Sequence, residues 1–521
     1  MSGTQPEDAG VTDDTVFDLF IIGGGINGTG IARDAAGRGL KVGLAEAGDL
    51  GGATSSASTK LFHGGLRYLE FFEFGLVKSA LKEREVLLKA MPHISWPMRF
   101  VLPYAPDMRF DSDTPTSRLL AKVMPWVEKG RRPAWLIRLG LFMYDNLGGR
   151  EILPATKTLD LTSAPEGTGL KSRFKMAYEY SDAWVEDARL VMLNARDAEA
   201  RGATILTQCA VTEAARDGDT WRIETSQGTY RARALVNAGG PWVADILTGV
   251  MRQNAQHAIR LVRGSHIVTK RLYDHDKAYF FQGTDGRIIF AIPYEQDFTL
   301  IGTTDADHTD PDTKPAISDE ERDYLCAFAS EYFEKPVTAD DVVWTYSGVR
   351  PLYDDGASSA TAATRDYVLA LDENGPPVLS VFGGKITTYR KLAEQALAKM
   401  GLGEAWTAGV ALPGGDFKVA DVPKLRAKLA GDYPFLDDKW AARLIRAYGT
   451  EAWEVLGDAK TADDLGRPFG ATLTEAELRW MMAREYVTTG DDAIWRRTKL
   501  GLRLSVEERA AVNTWIKDAA A

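Results

Sequence analysis

The first apolar run, "FDLFII" at residues 17–22, is suited to a buried strand. "GGGINGTGIARDAAGRGL" follows at once, its Ala, Ile and Leu recurring at roughly helical spacing, and "KVGLAE" at 41–46 reads as a second strand. Farther on, "TWRIETSQGTYRARAL" alternates around a turn and predicts a hairpin, and "ARALVNAGGPWVADI" at 232–246 predicts a strand leading into a proline-led helix. "FAIPYEQDFTLIGTTD" at 290–305 reads as two alternating strands of an antiparallel sheet. "VLSVFGGKITTYRKLAEQAL" at 378–397 repeats the order of apolar strand, glycine pair and helix, the helix starting near Thr387. Beyond about residue 400 the pattern becomes amphipathic-helical, in "YPFLDDKWAARLIRAYG", "TLTEAELRWMMAREYV" and "SVEERAAVNTWIKDAA".

These patterns divide the chain. Residues 1–16 are polar and acidic and read as a disordered tail; 17–104, 179–255 and 345–400 form a discontinuous α/β nucleotide-binding domain. Residues 105–178 and 256–344 form an antiparallel-sheet substrate or cap domain, and 401–521 an all-helical C-terminal domain. A length of 521 residues suits two or three such units, because single cores seldom exceed about 250–300 residues.

Charge and cysteine content narrow the function. The chain carries 62 basic and 73 acidic residues, a net charge of −11, so it lacks the basic footprint of a nucleic-acid binder. Any anionic ligand must be held by a local cluster of Arg and Lys. The two cysteines, Cys209 and Cys326, lie far apart, which argues against a disulfide framework or a zinc site and fits a reducing compartment. No metal is expected. The N-terminus has no signal-peptide pattern, and no run reaches the ~18 apolar residues of a spanning helix.

Strand, Gly23-x-Gly25-x-x-Gly28, helix, strand and Glu46 form the order of a dinucleotide-binding unit. The first glycine makes the tight turn, the second admits the pyrophosphate, and the third lets the helix sit close to the sheet. The helix N-terminus favours phosphate, and Glu46 suits ribose hydroxyls while repelling a 2′-phosphate. Two features favour FAD over NAD: the unit lies at the extreme N-terminus, and Gly383-Gly384 offer a second helix N-terminus to the flavin ring.

The motifs "DLFIIGGGINGTGIARDAAGRGL", "TSSASTKLFHGGLRYLE", "YSDAWVEDARLV", "LVRGSHIV", "LIGTTD", "VVWTYSGVRPL" and "SVFGGKITTYRKLAE" together closely resemble the FAD-dependent, aerobic glycerol-3-phosphate dehydrogenases, from about residue 17 to the C-terminus. One departure is 107–130, which looks longer than the corresponding connection in that family. The resemblance implies a Rossmann-like FAD domain of the glycine/D-amino-acid oxidase type. It also implies oxidation of sn-glycerol 3-phosphate to dihydroxyacetone phosphate, with electrons passed to membrane quinone. Family members are peripheral on the inner face of the cytoplasmic membrane. No attachment point for the flavin is evident, so FAD is expected to be noncovalent.

Oxidising a secondary alcohol on a flavin requires a base for the hydroxyl proton, positive charge near the developing alkoxide, and an anion clamp for the phosphate. His63 and His266 are the base candidates, being able to sit neutral near pH 7. His63 is the favoured one, with His266 hydrogen-bonding substrate or flavin. Arg67 and Arg350 supply forked guanidinium donors for a phosphate, Lys385 a point charge, and Tyr68 sits beside Arg67. The resemblance places Arg67, Arg350 and Lys385 against the substrate. The hydroxyl run "TSSASTK" is expected to wrap the cofactor, and Gly64-Gly65 to let the chain pass close to the flavin. Cofactor contacts are accordingly expected at Gly23, Gly25, Ile26, Asn27, Gly28, Glu46, Thr54, Ser55, Ser56, Ser58, Lys60, Leu61, His63, Gly64 and Gly65. Later in the chain they are expected at Val211, Ala238, Gly239, Trp242, Gly384, Lys385 and Thr387.

The segment 127–150 clusters Lys129, Arg131, Arg132 and Arg138 with Trp135, Leu136, Ile137, Leu141, Phe142 and Met143. Such a basic aromatic stretch fits an anionic lipid surface, and equally a core helix with snorkelling arginines. The helical C-terminal domain shows no chemistry of its own; dimerisation or membrane docking are its expected roles. The rival readings are an oxygen-using glycerol-3-phosphate oxidase, a flavin amine or amino-acid oxidase, and a non-catalytic flavin-binding protein.

Overall fold

A computed structural model describes residues 15–109, 114–123, 133–254, 257–353 and 367–521. The first apolar run forms strand β1 (Val16–Ile22), with Leu19, Phe20 and Ile21 fully buried. Helix α1 (Ile26–Gly37) follows, and its small residues Ala32, Ala35 and Ala36 let it pack closely between the helices Asp187–Ala200 and Tyr389–Lys399. β2 (Val42–Ala45) and β3 (Gly228–Asn237) flank β1 in parallel, with Ile22 opposite both Ala45 and Asn237. Thr204–Leu206 extends this sheet beyond β2, and Val378–Phe382 extends it beyond β3, both in parallel. Strand Val368–Asp372 closes one edge antiparallel, and the hairpin Val211–Asp217 with Thr220–Thr225 joins β3, completing eight strands.

One consequence of parallel pairing positions the site. β1 runs out into Gly23, β2 into Glu46, β3 into Ala238-Gly239 and Val378–Phe382 into Gly383-Gly384, so all four turns gather at the carboxyl edge of one sheet. Open α/β sheets bind ligands at that edge.

A second sheet of ten strands lies over it. It holds β4 (Ile259–Lys270), β5 (Phe298–Gly302) and β6 (Val342–Tyr353), with β4 paired antiparallel to both others. Ser95–Tyr104 and Met176–Val185 pair along ten positions in the same sheet. The boundaries expected at 104/105, 178/179 and 344/345 therefore fall inside one hydrogen-bonded sheet, and strands on both sides of each belong together.

The C-terminal part is helical, with one two-stranded ladder at Pro468–Gly470 and Leu473–Thr474. Its longest helix, Val506–Ala520, begins in a capping box between Ser505 and Glu508. Residues 1–14 of the expected tail lie outside the described residues, as do 110–113 and 124–132 of the connection and the basic segment. Among the described residues no helix is long and apolar enough to cross a membrane.

Candidate active site

A cavity of about 1100 Å³ runs from the glycine turns of the first sheet to the underside of the second. That exceeds the roughly 300–1,000 Å³ of ordinary small-molecule pockets, as a dinucleotide with a substrate requires.

At its nucleotide end the Glu46 carboxylate accepts the Gly24 N–H at 2.6 Å through one oxygen and the Gly48 N–H at 2.9 Å through the other. Burial raises its pKa above the usual carboxylate range, and the two N–H donors oppose that rise. The first N–H of α1, at Ile26, donates to Ser55 Oγ at 3.0 Å, which ties the hydroxyl run to the fingerprint. Gly28 is required by close approach: a Cβ there would lie 1.9 Å from the Gly23 carbonyl oxygen. Gly384 has φ +110°, and a Cβ would come within 2.8 Å of Asn27 Nδ2. Asn27 Oδ1 is buried with no hydrogen-bond partner among the described residues. A buried acceptor left unpaired beside the fingerprint is what a nucleotide's donor groups satisfy, so these residues fit FAD.

The other end holds the reacting groups. His63, Arg67, Tyr68, His266, Arg350 and Lys385 all line the one cavity. The Lys385 ammonium lies 4.8 Å from the Tyr68 ring centroid. Arg350 Nη2 donates to Asp305 Oδ1 at 2.5 Å and to the Thr304 carbonyl at 2.8 Å, so its guanidinium is aimed by the turn after β5. His266 is 2% exposed; its Nε2 pairs with Thr59 Oγ1 at 2.9 Å, while Nδ1 has no partner among the described residues. Burial, reinforced by the Lys60 and Arg350 charges, drives its pKa well below the ordinary imidazole value.

Of the residues expected from the sequence, Gly28, Ser56, Lys60, Leu61 and Gly64 do not line the cavity. Lys60 is fully buried, its Nζ donating to both Asp187 oxygens at 2.7 and 2.9 Å. Leu61 is buried in a short strand paired with Trp184. Ser56 Oγ donates to the Ala53 carbonyl within its own turn. The Gly64 N–H donates to Tyr144 Oη at 2.8 Å and to Asp182 Oδ1 at 3.1 Å, and Asp182 is ion-paired with Arg84. These groups hold the shape of the loop that presents His63 and Arg67. Ser58, by contrast, lines the cavity while its Oγ donates to Asp187 at 2.7 Å.

Sequence reasoning missed several lining residues. Arg287, from the turn before "IIFAIPY", adds a further cation, and Asp182 and Phe290 complete the walls. Arg496 reaches the cavity from the C-terminal domain, in which the sequence shows no chemistry of its own. The Gly-Arg step at 286–287 was the one available signal for Arg287.

A glycine-turn cradle with a carboxylate at the end of the second strand, opening onto two imidazoles and several cations, defines a flavin-dependent oxidoreductase. A family model described as FAD dependent oxidoreductase matches residues 18–390, and one described as C-terminal domain of alpha-glycerophosphate oxidase matches residues 405–520. D-erythritol 1-phosphate dehydrogenase of Brucella abortus is 47% identical over 514 residues, covering 96% of this chain and 98% of the relative. Aerobic glycerol-3-phosphate dehydrogenase of Escherichia coli is 46% identical over 512 residues, covering 96% and 97%. The solved glycerol-3-phosphate dehydrogenase of Bacillus halodurans, complexed with FAD, superposes with a TM-score of 0.68 at 25% identity, covering 97% of this chain and 94% of that one. The chain belongs to the FAD-dependent glycerol-3-phosphate dehydrogenase family and is an enzyme whose cofactor is FAD.

Proposed function

We propose that this chain oxidises sn-glycerol 3-phosphate to dihydroxyacetone phosphate and passes the electrons to a membrane quinone. The observation that carries the reading is the gathering of Arg67, Arg287, Arg350 and Lys385 around two imidazoles in a chain of net charge −11. Local cations on that scale suit a phosphate dianion better than a lone carboxylate. The 46% identity to the Escherichia coli glycerol-3-phosphate dehydrogenase supports the same substrate.

FAD, when bound noncovalently, supplies a two-electron acceptor. The chain's residues do the rest. Arg350, aimed by Asp305, and Arg67 hold the phosphate and so fix the carbinol carbon. His266 stays neutral; with its Nε2 proton donated to Thr59, its Nδ1 lone pair takes the hydroxyl proton. His63, on the same cavity wall, hydrogen-bonds the substrate. Lys385 offsets the developing negative charge.

A second substrate is favoured by a specific observation: the 47% identity to D-erythritol 1-phosphate dehydrogenase. That compound carries the same phosphate and carbinol on a chain one carbon longer.

Exposed apolar side chains lie close to the site. Phe72 and Phe74 follow Arg67 and Tyr68 in the chain, and Leu119, Trp135, Leu139 and Phe142 are exposed on the two helices between residues 115 and 147. We assign this face to an anionic lipid surface on the cytoplasmic side of the membrane, where quinone is at hand. Arg138 lies on the same helix; Lys129, Arg131 and Arg132 lie outside the described residues.

The test is anaerobic absorbance of the purified protein during addition of sn-glycerol 3-phosphate, D-erythritol 1-phosphate, glycerol and an amino-acid mixture. Bleaching of the flavin band by glycerol 3-phosphate, followed by faster reoxidation with quinone than with oxygen, is the expected result. Bleaching by erythritol 1-phosphate at a far lower concentration assigns the longer substrate. Bleaching by amino acids alone overturns both.

A further inference from the structure

The sheet that carries the proposed site continues away from it as a line of rings. Residues 344, 346, 348 and 350 of β6 share one face, so Trp344 and Tyr346 stand in line with Arg350. β4 pairs with β6 so that His266 is opposite Tyr346 and Val268 opposite Trp344. Tyr346 stacks on His266 with centroids 4.6 Å apart and planes 11° from parallel. Trp344 follows at 5.2 Å from Tyr346, and Trp495 of the C-terminal domain covers Trp344 at 4.7 Å and 11°. On another side of the imidazole lies Gly302 of β5, where a Cβ would come within 2.1 Å of His266 Cδ2. The ring is thus clamped between backbone and a stack whose outermost member belongs to a different domain.

Trp495 is itself held in place. Its carbonyl oxygen accepts from Lys499 Nζ, Arg509 lies 5.2 Å over its ring, and Gly501 packs against its face. The next two residues, Arg496 and Arg497, both pair with Asp49 beyond β2. Asp49 and Arg497 are buried, so the segment cannot swing aside without parting buried charges.

We propose that Trp495 is a positioning residue for His266, so that the C-terminal domain completes the active site by fixing the imidazole through Trp344 and Tyr346. The catalytic consequence rests on His266 as the proton acceptor; the positioning itself does not. The charged and polar groups facing the ring are Lys60, paired with Asp187, and Thr59 from the hydroxyl run, with Arg350 and Tyr346 from β6. Tyr346 is further fixed by donating its Oη proton to the Ser58 carbonyl at 2.9 Å. Removing the outer ring lets water into the stack, and the imidazole then titrates closer to its ordinary value. Displacing a catalytic group by a fraction of an ångström costs on the order of tenfold in turnover, given that about 1 Å costs about 10²-fold.

The experiment compares Trp495→Ala, Trp495→Leu and Trp495→Phe holoenzymes with the parent by 15N-histidine NMR titration and by steady-state kinetics. Trp515→Ala is the control, since Trp515 packs on Phe469 within the same domain. Expected are an upward move of the His266 titration and a roughly tenfold lower kcat in the Ala and Leu variants, with KM and flavin content kept. The Phe variant should recover most of both. The Leu variant keeps apolar bulk and reads the stack even where the Ala variant fails to fold. An unmoved His266 resonance, or an equal move in Trp515→Ala, overturns the proposal. Full turnover in His266→Asn alongside a moved resonance in Trp495→Leu removes the proton-acceptor assignment and leaves the positioning standing.

Discussion

The side-chain amide of Asn27 donates to the carbonyl oxygen of Gly383 at 3.1 Å, joining two glycine turns that lie 356 residues apart. The early turn carries the dinucleotide fingerprint and the late one precedes the helical segment beside Lys385, so one amide sets the spacing between them. Its other atom, Oδ1, is the buried unpaired acceptor at the fingerprint. Asn27→Leu keeps the bulk and loses both functions. Losing such hydrogen bonds costs about 1–3 kcal/mol, so FAD affinity should fall roughly 5- to 150-fold. Fluorescence titration of apoprotein with FAD measures it, and unchanged affinity would remove this role.

Two glycines of the same fingerprint should fail differently. A Cβ at Gly25 meets only Ser55 Oγ, at 3.2 Å, whereas at Gly28 it would strike the Gly23 carbonyl. Gly25→Val is therefore expected to fold and purify colourless, its side chain standing where the pyrophosphate must approach. Gly28→Ala is expected to lose about 3 kcal/mol of stability by overpacking and to melt several degrees earlier. A yellow, fully loaded Gly25→Val protein refutes the cradle.

Arg350→Ala should leave flavin bound and weaken substrate use. Truncating one partner of a desolvated charge pair costs about 2–4 kcal/mol, so kcat/KM should drop roughly 30- to 1,000-fold. Asp305→Asn keeps the hydrogen bond and loses its charge, and should cost less than Arg350→Ala. Steady-state kinetics with quinone as acceptor decides, and parent-like kcat/KM in Arg350→Ala rejects the clamp.

Glu295, at the seam with the C-terminal domain, has its pKa pushed up to about 7 by burial and by the Glu186 carboxylate. The unfolded chain releases this proton near the ordinary carboxylate value, while the folded chain keeps it to about pH 7. Its contribution to stability is therefore fully present at acid pH and is lost as pH rises through about 7. Lys499, lowered to about 8 chiefly by burial, acts in the opposite sense: stability is lost as pH falls through about 8. Together they make this seam weakest near neutrality. Glu295→Gln should flatten the decline of Tm between pH 5 and 7; an unchanged slope would place the effect elsewhere.

Trp135→Ser combined with Phe142→Ser should release the protein from anionic vesicles. Each exposed ring buried in lipid contributes about 1.5 kcal/mol or more, so partitioning should fall more than tenfold. Liposome co-sedimentation reads this directly, and undiminished binding would move the docking face elsewhere.

The first sheet was legible because a parallel strand buried on both faces is written as a mostly apolar run. "FDLFII" and "VLSVF" could be placed without their partners, and the glycine turns marked their ends. The second sheet was legible only at "FAIPYEQDFTLIGTTD", which forms the expected antiparallel pair, because its other strands draw partners from far along the chain. Ser95–Tyr104 and Val342–Tyr353 carry no local sign that they share a sheet with "LVRGSHIV". Distance along the chain also hid Asp182, paired across from Met98, and Arg496, held by Asp49. Lys60 errs in the other direction. It stands within a run of cavity residues, but at φ +61° the chain turns and its ammonium enters the protein toward Asp187.

Gly23 and Arg496, 473 positions later, line the same cavity. At about 5–20 residues per second of synthesis, that interval lasts roughly 24–95 s. The glycine cradle is thus made first, the sheet that lies over it is complete with Tyr353, and Arg496 joins the wall last. A message truncated near its end therefore yields a chain that has every fingerprint glycine and a cavity wall lacking its C-terminal cation.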